Sequence, residues 1–500
     1  METNYKPYKI TTTPKSDFEV LKFLGTEEFN KPYTYVIDVI SSTSDIDLNS
    51  FLSQEIAFEM HSTIDTNEIS YVSGICKCIK TKGFFSKNQY VYEITLVPKL
   101  WNLTLKYASR VYMDVSIHDI IKNCMKLNQF AEGTDYEIKL TGDYTNLELV
   151  CQYNESDLNY LTRWLEVYGI YYYFNNDSKK NKIIFSDNNT NHSDISQNKL
   201  EYSSLEHRNN EKQDRNIFEF NLTNIQKSTS FQNDHYDGTR KTLTNTSASI
   251  DTIDDKTYRI YGGNPQIKDS YAKFEILEQQ RLDACRYLGR GKSTVICMQA
   301  GGTFTLNSAF MASNGKYLIS KIQHSGNQTQ FLQEKTATTN GKLYENYFEV
   351  IPHTTQYRPQ KITPKPYFNG LINANIDGTG KDKPLMDEMG RYKVLFPFDT
   401  LAKEDGKASI FIRVVQPSAS NGNSGMHFKL LKGDEVILGF REGDVDRPVI
   451  LGAVNNTKRV YENEDIISRD ADIIKRKNTS LGFDDDVLII RTPRKIEIIG

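Results

Sequence analysis

The chain has 500 residues, 64 acidic and 61 basic side chains, and a formal net charge of −3. That length exceeds what one hydrophobic core serves and points to three or more domains. The balanced charge, with no block of like sign, gives no support to nucleic-acid binding through a basic face. The 30 Tyr and 25 Phe, with frequent Thr, Ile and Val, favour strands.

Met1 to Lys15 is polar and lacks the apolar core of a signal peptide, and no run approaches about 18 consecutive apolar residues. Synthesis in the cytoplasm is the expectation. Six Cys, at 76, 78, 124, 151, 285 and 297, are too irregular for a disulfide framework. Strict alternation puts Cys76 and Cys78 on one face of a strand, but no second CxC or CxH completes a zinc site, so they read as two buried small residues.

From Tyr33 to Pro98 strand follows strand: Tyr33 to Ile40, Glu55 to Met60, Ile69 to Ile79, Gln89 to Val97. Turn residues separate them at the spacing of an antiparallel barrel or sandwich. Ser116 precedes Ile117, Ile120, Ile121 and Cys124, an i, i+3, i+4, i+7 face that predicts a helix to about Leu127. A strand pair is predicted next, Tyr136 to Leu140 with Leu147 to Tyr153. In Gln152-Tyr153-Asn154-Glu155-Ser156-Asp157, Ser156 caps a second helix, Asp157 favours its positive start, and Leu158, Leu161 and Leu165 form its buried stripe. Gly169 ends that helix and Ile170-Tyr171-Tyr172-Tyr173-Phe174 is a strand. This is a compact α+β module inserted in β structure.

Beyond it, strands are expected at Ile183 to Phe185 and Ile217 to Ile225, a polar loop over Asp237 to Lys256, and a helix over about Ser270 to Leu288. Strands then run Thr294 to Gln299, Thr303 to Leu306, Tyr317 to His324 and Tyr344 to Pro352. Tyr357 to Pro366 is proline-rich, stiff and poor in donors, a domain boundary.

The densest pattern is Arg391 to Asn456. Val394, Phe396 and Phe398 share one strand face, as do Ile410, Ile412 and Val414 in Ser409 to Gln416. Val436, Leu438 and Phe440 lead into a polar turn, Glu442 to Arg447, and Pro448 starts the returning strand. With Phe368 to Ile376 these make five short strands in about ninety residues, the size of an OB-type barrel. Further on, Val487 to Arg491 and Lys495 to Ile499 are strands with little left to cover their edges, which argues for a symmetric oligomer joined there.

No constellation supports catalysis. Gly291-Lys292-Ser293 lacks the glycine a phosphate loop needs, because Arg286 stands in its place. Gly422 to Met426 fails the nucleophile-elbow pattern. Glu442, Asp444 and Asp446 alternate in the manner of a hard-cation site, but Arg447 adjoins them and a turn favours such residues anyway. Asp484-Asp485-Asp486 reads as a solvated turn. No catalytic, cofactor-binding or metal-ligating residue is assigned.

Together these stretches resemble the spike proteins of contractile injection systems: the VgrG family of type VI secretion and its relatives in phage tails and extracellular injection particles. The specific segments are Gly390-Arg391-Tyr392-Lys393-Val394, Gly433-Asp434-Glu435-Val436 and Glu442 to Gly452. Gln152 to Asp157, Gly169 to Phe174 and Tyr357-Arg358-Pro359 resemble the family's hub signatures. The resemblance implies two hub β-barrels (1–105 and 186–362) around an α+β insert (106–185), an OB-fold neck (363–456) and the start of a trimeric β-prism needle (457–500). It implies a homotrimer on a hexameric inner tube, contacts with baseplate proteins, a PAAR-like tip protein and effector cargo, and a target membrane that is pierced rather than bound, without cofactor or enzymatic step, after delivery outside the cell. About 45 residues follow the OB stretch, too few for the glycosidase domain that phage relatives carry there. The needle is expected to be blunt or cut short. A spike-attached cell-wall hydrolase, or a glycan- or oligonucleotide-binding OB protein, are the alternatives. The first needs an acid/base pair in a cleft, and the second exposed aromatics among Lys and Arg where Phe396, Phe398, Phe411 and Phe440 read as core.

Overall fold

The computed structural model describes residues 6–62, 68–176, 180–202, 216–228, 230–237, 242–249, 257–261, 271–329, 343–380, 383–402, 405–418, 428–456, 472–476, 479–484 and 487–491. The fold is mainly β and divides into two compact units, Met1–Pro366 and Tyr367–Gly500.

The first unit opens with six strands, β1 (Tyr8–Thr12), β2 (Glu19–Glu28), β3 (Lys31–Ser41), β4 (Glu55–His61), β5 (Ile69–Ser86) and β6 (Gln89–Val97). The α+β module follows as β7 (Tyr107–Val115), α1 (Ile117–Leu127), β8 (Tyr136–Lys139), β9 (Leu147–Ser156), α2 (Asp157–Val167), β10 (Tyr171–Asn175) and β11 (Lys182–Ser186). Then come β12 (Asp194–Glu201), β13 (Ile217–Asn224), β14 (Ser230–Asp237), β15 (Thr242–Ser249), β16 (Thr257–Tyr261), α3 (Tyr271–Ala284), β17 (Tyr287–Ser293), β18 (Thr303–Asn307), β19 (Gly315–Asn327) and β20 (Tyr344–Pro352).

One sheet of 12 strands carries this unit, in the order β1-β4-β5-β6-β3-β2-β19-β20-β17-β13, with β18 joining β19 to β12. Strand β19 is the joint. Its Lys321–Asn327 half pairs with β2, its Gly315–Leu318 half pairs with β18, and β20 lies along its other edge. Alternation along β3 and β6 buries Tyr35, Ile37 and Val39 against Ile94 and Leu96, and the stripes of α1 and α2 (Ile120, Ile121, Leu161, Trp164, Leu165) share that core. A second core gathers Phe304, Ile319, Ile322, Phe348 and Val350.

Helix α1 has the expected bounds, and its capping box is closed: Asp119 N donates to Ser116 Oγ at 3.2 Å and Ser116 N donates to Asp119 Oδ2 at 2.9 Å. Four local expectations in the first unit fail. Strands β8 and β9 form but do not pair with each other; β8 lies parallel to β11, and β9 is antiparallel to β7. In the connection between them the backbone N–H groups of Thr141 and Gly142 donate to Asp187. Cys76 is buried but Cys78 is exposed, since a register shift between them breaks the alternation. Helix α3 ends at Ala284, and the strand expected at Thr294 to Gln299 is instead β17. Its Gly291 permits this, since a Cβ there would stand 2.4 Å from Phe348 and 2.6 Å from Glu219 O. Thr242–Ser249, expected within a loop, is strand β15. The rest of that loop after Asp237, Ser270, Gly422 to Met426, Asp485, Asp486 and Lys495 to Ile499 lie outside the described residues.

The second unit contains β21 (Ile372–Ile376), β22 (Gly378–Thr379), β23 (Lys383–Pro384), β24 (Val394–Leu395), β25 (Glu435–Phe440) and β26 (Pro448–Val454), then β27 (Asp472–Arg476), β28 (Thr479–Asp484) and β29 (Val487–Arg491). A four-stranded sheet runs β24-β21-β25-β26, and the last three strands form their own antiparallel sheet. The β25–β26 hairpin closes with Phe440 opposite Pro448. Ser409 to Gln416 is no continuous strand; it joins by single bridges, Tyr392 to Ile412 and Val414 to Ile450. Ser409 Oγ takes the Val394 N–H at 2.8 Å, which replaces a ladder bond. Tyr392, Val394, Phe396, Ile412, Val436, Leu438 and Ile450 are each buried, at alternating positions within Tyr392–Phe396 and Val436–Leu438.

Candidate functional site

Three segments far apart in sequence converge on α2: the turn before it, the glycine after it, and the proline-rich stretch from Tyr357 onward. Before the helix, Ser156 Oγ accepts the Asn159 N–H at 3.1 Å. Asp157 does more than favour the helix start. Its Oδ1 accepts from Arg110 Nη1 and Gln152 Nε2, each at 2.9 Å, and its Oδ2 accepts from Asn128 Nδ2 at 3.0 Å. With Asp157 only 2% exposed, these three donors replace lost water. Glu155 and Arg163 form a buried pair through Nε at 3.0 Å and Nη2 at 2.7 Å, and Nη2 also reaches Cys151 O at 2.8 Å. The rings of Tyr160 and Trp164 flank that guanidinium. The polar spelling of Gln152 to Asp157 is thus a set of assigned hydrogen bonds.

After the helix, Gly169 has φ +67°, and a Cβ there would stand 2.9 Å from Arg358 Cδ. Only glycine gives both the left-handed turn and the close approach. Arg358 Nη1 donates to Gly169 O at 3.0 Å and to Asp187 O at 2.7 Å. Tyr357 meets Phe29 and Tyr171 edge-on at 5.0 and 4.9 Å. Tyr171 lies parallel to His192 and shares a 2.8 Å hydrogen bond with its Nε2, while Nδ1 faces Gly301 O at 2.8 Å. Since a carbonyl only accepts, the proton sits on Nδ1 and the Tyr171 hydroxyl donates to Nε2. Burial pushes His192 down to about 4, so the ring is neutral.

The grip continues past Pro359. Glu166 accepts from Ile362 N, Thr363 N and Thr363 Oγ1 at 3.0, 2.9 and 2.7 Å, and burial raises its carboxyl. Arg281 of α3 donates to Pro359 O and Glu166 O, each at 2.6 Å. Glu278 pairs with Arg281 and Lys361. The sequence suggests a boundary at Tyr357-Arg358-Pro359 but does not reveal Arg110, Glu166 and Arg281, whose partners in this grip, Glu278 apart, are more than 40 residues away.

The other candidate motifs take structural roles. Lys292 pairs with Glu219 across β13–β17 at 2.7 Å, and Ser293 Oγ bonds Asn346 inside the sheet. In the Glu442 to Arg447 turn, Glu442 has φ 55°, Arg447 Nη1 binds Glu442 Oε2 at 3.0 Å, and Asp446 is buried with its N–H on Asp444 Oδ1. Among the described residues no group of three metal-ligating side chains converges.

Residues 26–330 match the phage tail baseplate hub (GPD) family, and residues 379–454 match the type VI secretion system/phage-baseplate injector OB domain. Type VI secretion system spike protein VgrG1b of Pseudomonas aeruginosa is 28% identical over 88% of this chain, which spans 59% of that protein. The actin cross-linking toxin VgrG1 of Vibrio cholerae is 26% identical over 86% of this chain, which spans 38% of it. Among solved structures, the E. coli c3393 protein, a component of the type VI secretion system, shares the fold at a TM-score of 0.64 and 22% identity, covering 90% of this chain and all (100%) of that one. A Francisella PdpA-VgrG complex shares it at 0.59 and 11% identity, covering 97% of this chain and 87% of that one. With the hub match reaching across most of the first unit, the chain belongs to the phage tail baseplate hub (GPD) family.

Proposed function

We propose that this chain is the hub and spike subunit of a contractile injection apparatus of the type VI secretion kind, working as a homotrimer and by mechanics. The observation that carries the reading is the order of parts: a hub-family segment, residues 26–330, and an injector OB segment, residues 379–454, follow each other in one chain. Between them runs the Tyr357–Thr363 stretch that Arg358, Arg281 and Glu166 hold to α2. On this reading residues 1–105 and 186–362 form two related hub barrels around the 106–185 insert, 363–456 the neck, and 457–500 the start of the needle. Three copies meet the hexameric inner tube and the baseplate proteins. A PAAR-like tip protein and effectors ride on the far end, and the apparatus carries the assembly out of the cell through a target membrane.

No enzymatic step is proposed. The buried carboxylates Glu155, Asp157 and Glu166 each accept hydrogen bonds from protein donors, which gives them a structural role inside the fold. Native mass measurement at micromolar protein tests the reading. The expected result is three times the 57.5 kDa of one chain; a stable monomer overturns it. Removal of Val460 to Gly500 is expected to weaken the trimer.

A further inference from the structure

A cavity of about 250 Å³ opens between the loop Thr141–Thr145, the end of α2 and one side of α3. Its walls are apolar, from Tyr144, Val167, Tyr168, Ile276 and Leu277, and Tyr144 meets Tyr168 edge to face at 5.5 Å. Polar residues line it as well, among them Asp187, Asn188, Gln280 and Arg358. Asp187 is satisfied: it accepts from Thr141 N and Oγ1, Gly142 N and Tyr144 OH. Arg358 is not. Its Nε donates to Gln280 at 2.8 Å and its Nη1 to two carbonyls, but Nη2 has no acceptor among the described residues. Tyr168 is 5% exposed and its hydroxyl has no hydrogen-bond partner. At the mouth, Lys273 lies 3.6 Å from Asp143, so neither sign dominates the entrance.

An apolar pocket lined by a guanidinium with one nitrogen, Nη2, unpaired suits a group that is apolar in body and anionic at one end, because a cationic N–H donor pairs best with a carboxylate oxygen. We propose that this cavity binds an apolar group bearing a carboxylate, its body against Tyr144, Tyr168 and Leu277 and its charge on Arg358 Nη2. Two sources share this chemistry: the C-terminal residue of a polypeptide ending in a bulky apolar side chain, and a small free aromatic or aliphatic acid. A neutral apolar group would fill the walls but leave Nη2 unmatched.

The test uses the full chain. Calorimetric titration with 3-phenylpropionate is compared with 3-phenylpropanamide, and a short peptide ending in Phe with a free C-terminus is compared with its amidated form. Both free acids are expected to bind, and both amides to bind about tenfold more weakly or not at all. A tighter peptide identifies a chain terminus as the natural occupant, and a tighter small acid the free compound; either supports the site. Arg358→Gln would also loosen the segment it holds, so the variant of choice is Ile276→Glu, on the exposed rim at 53% exposure. It is expected to leave the thermal midpoint unchanged and to weaken acid binding about tenfold. Absence of binding by both acids, equal affinity for acid and amide, or binding untouched by Ile276→Glu would each overturn the proposal.

Discussion

The Arg358 guanidinium holds the carbonyl of Gly169 at 3.0 Å, directly over the one residue between α2 and β10 whose φ is +67°. The helix stop and the Tyr357–Thr363 segment are therefore one structural unit, because the missing Cβ of Gly169 is the space in which Arg358 lies.

Gly169→Ala is expected to destabilise the first unit by about 2 kcal/mol, from the left-handed conformation of a non-glycine residue plus the displaced Arg358. Gly133→Ala is the matched control: its φ is +84° but nothing lies within 4 Å of a Cβ there, so only the conformational part, about 1 kcal/mol, should appear. Urea unfolding of both variants measures the difference, and equal losses would separate Gly169 from the Arg358 contact.

Glu166 separates hydrogen bonding from charge. Its three acceptor bonds go to two N–H groups and a hydroxyl. In Glu166→Gln the amide oxygen can keep the two N–H groups while its NH₂ donates to a turned Thr363 hydroxyl, a loss of under about 1 kcal/mol. Glu166→Ala leaves those donors without a partner and is expected to cost about 2 to 3 kcal/mol. Limited proteolysis should then cut between Arg358 and Pro366 in the Ala variant and spare the Gln variant.

The buried Glu155–Arg163 pair gives a sharper asymmetry. Either partner replaced alone, as Glu155→Leu or as Arg163→Met, strands the other charge in the core, at about 3 to 5 kcal/mol. The joint Glu155→Leu, Arg163→Met protein removes both charges and is expected to lose much less than the sum. A double-mutant cycle by denaturant unfolding reads the coupling directly, and simple additivity would show that the two residues do not act as a pair.

Acid should loosen the first unit. Burial lowers His192 to about 4 and His324 to about 3, so below about pH 6.5 the unfolded chain takes up protons that the folded chain refuses. The stability is fully present above that value and is lost as pH falls toward 4. For His192 alone the full loss is roughly 3 kcal/mol, at 1.36 kcal/mol per pKa unit. Glu27, raised by burial, works in the opposite direction and tempers the effect. Thermal midpoints between pH 4.5 and 6.5 should fall with acid, and His192→Phe should flatten that slope; an unchanged slope would acquit His192.

Local signals were read correctly where the physics is local. The Ser116–Asp119 capping box, the Leu161–Leu165 stripe, the Gly169 stop and the Phe440–Pro448 hairpin closure all depend on neighbours within a few residues. Periodicity failed at Cys76 and Cys78, because a bulge inserts a residue that no alternation reveals. It failed again at β17, because Gly289 and Gly291 belong in a strand only once Val350 and Phe348 are set against them. For α2 the motif residues were legible but not their purpose: Asp157 looks like a helix-start charge until Arg110, Gln152 and Asn128 come to it.

By itself the sequence determined the β-rich class, the two helices of the insert, the OB-like alternation after Gly390 and the family resemblance, since each follows from residue type at short spacing. Only the tertiary structure decided that β19 joins β2 to β18 and β20 in one sheet, that β8 and β9 do not pair, and that Glu166, Arg281 and Arg358 hold the segment after Tyr357. Those are choices of partner between groups that the chain separates by tens to hundreds of residues. Partner choice is set by which buried donors and acceptors must be satisfied once the cores have closed, and that condition has no local spelling.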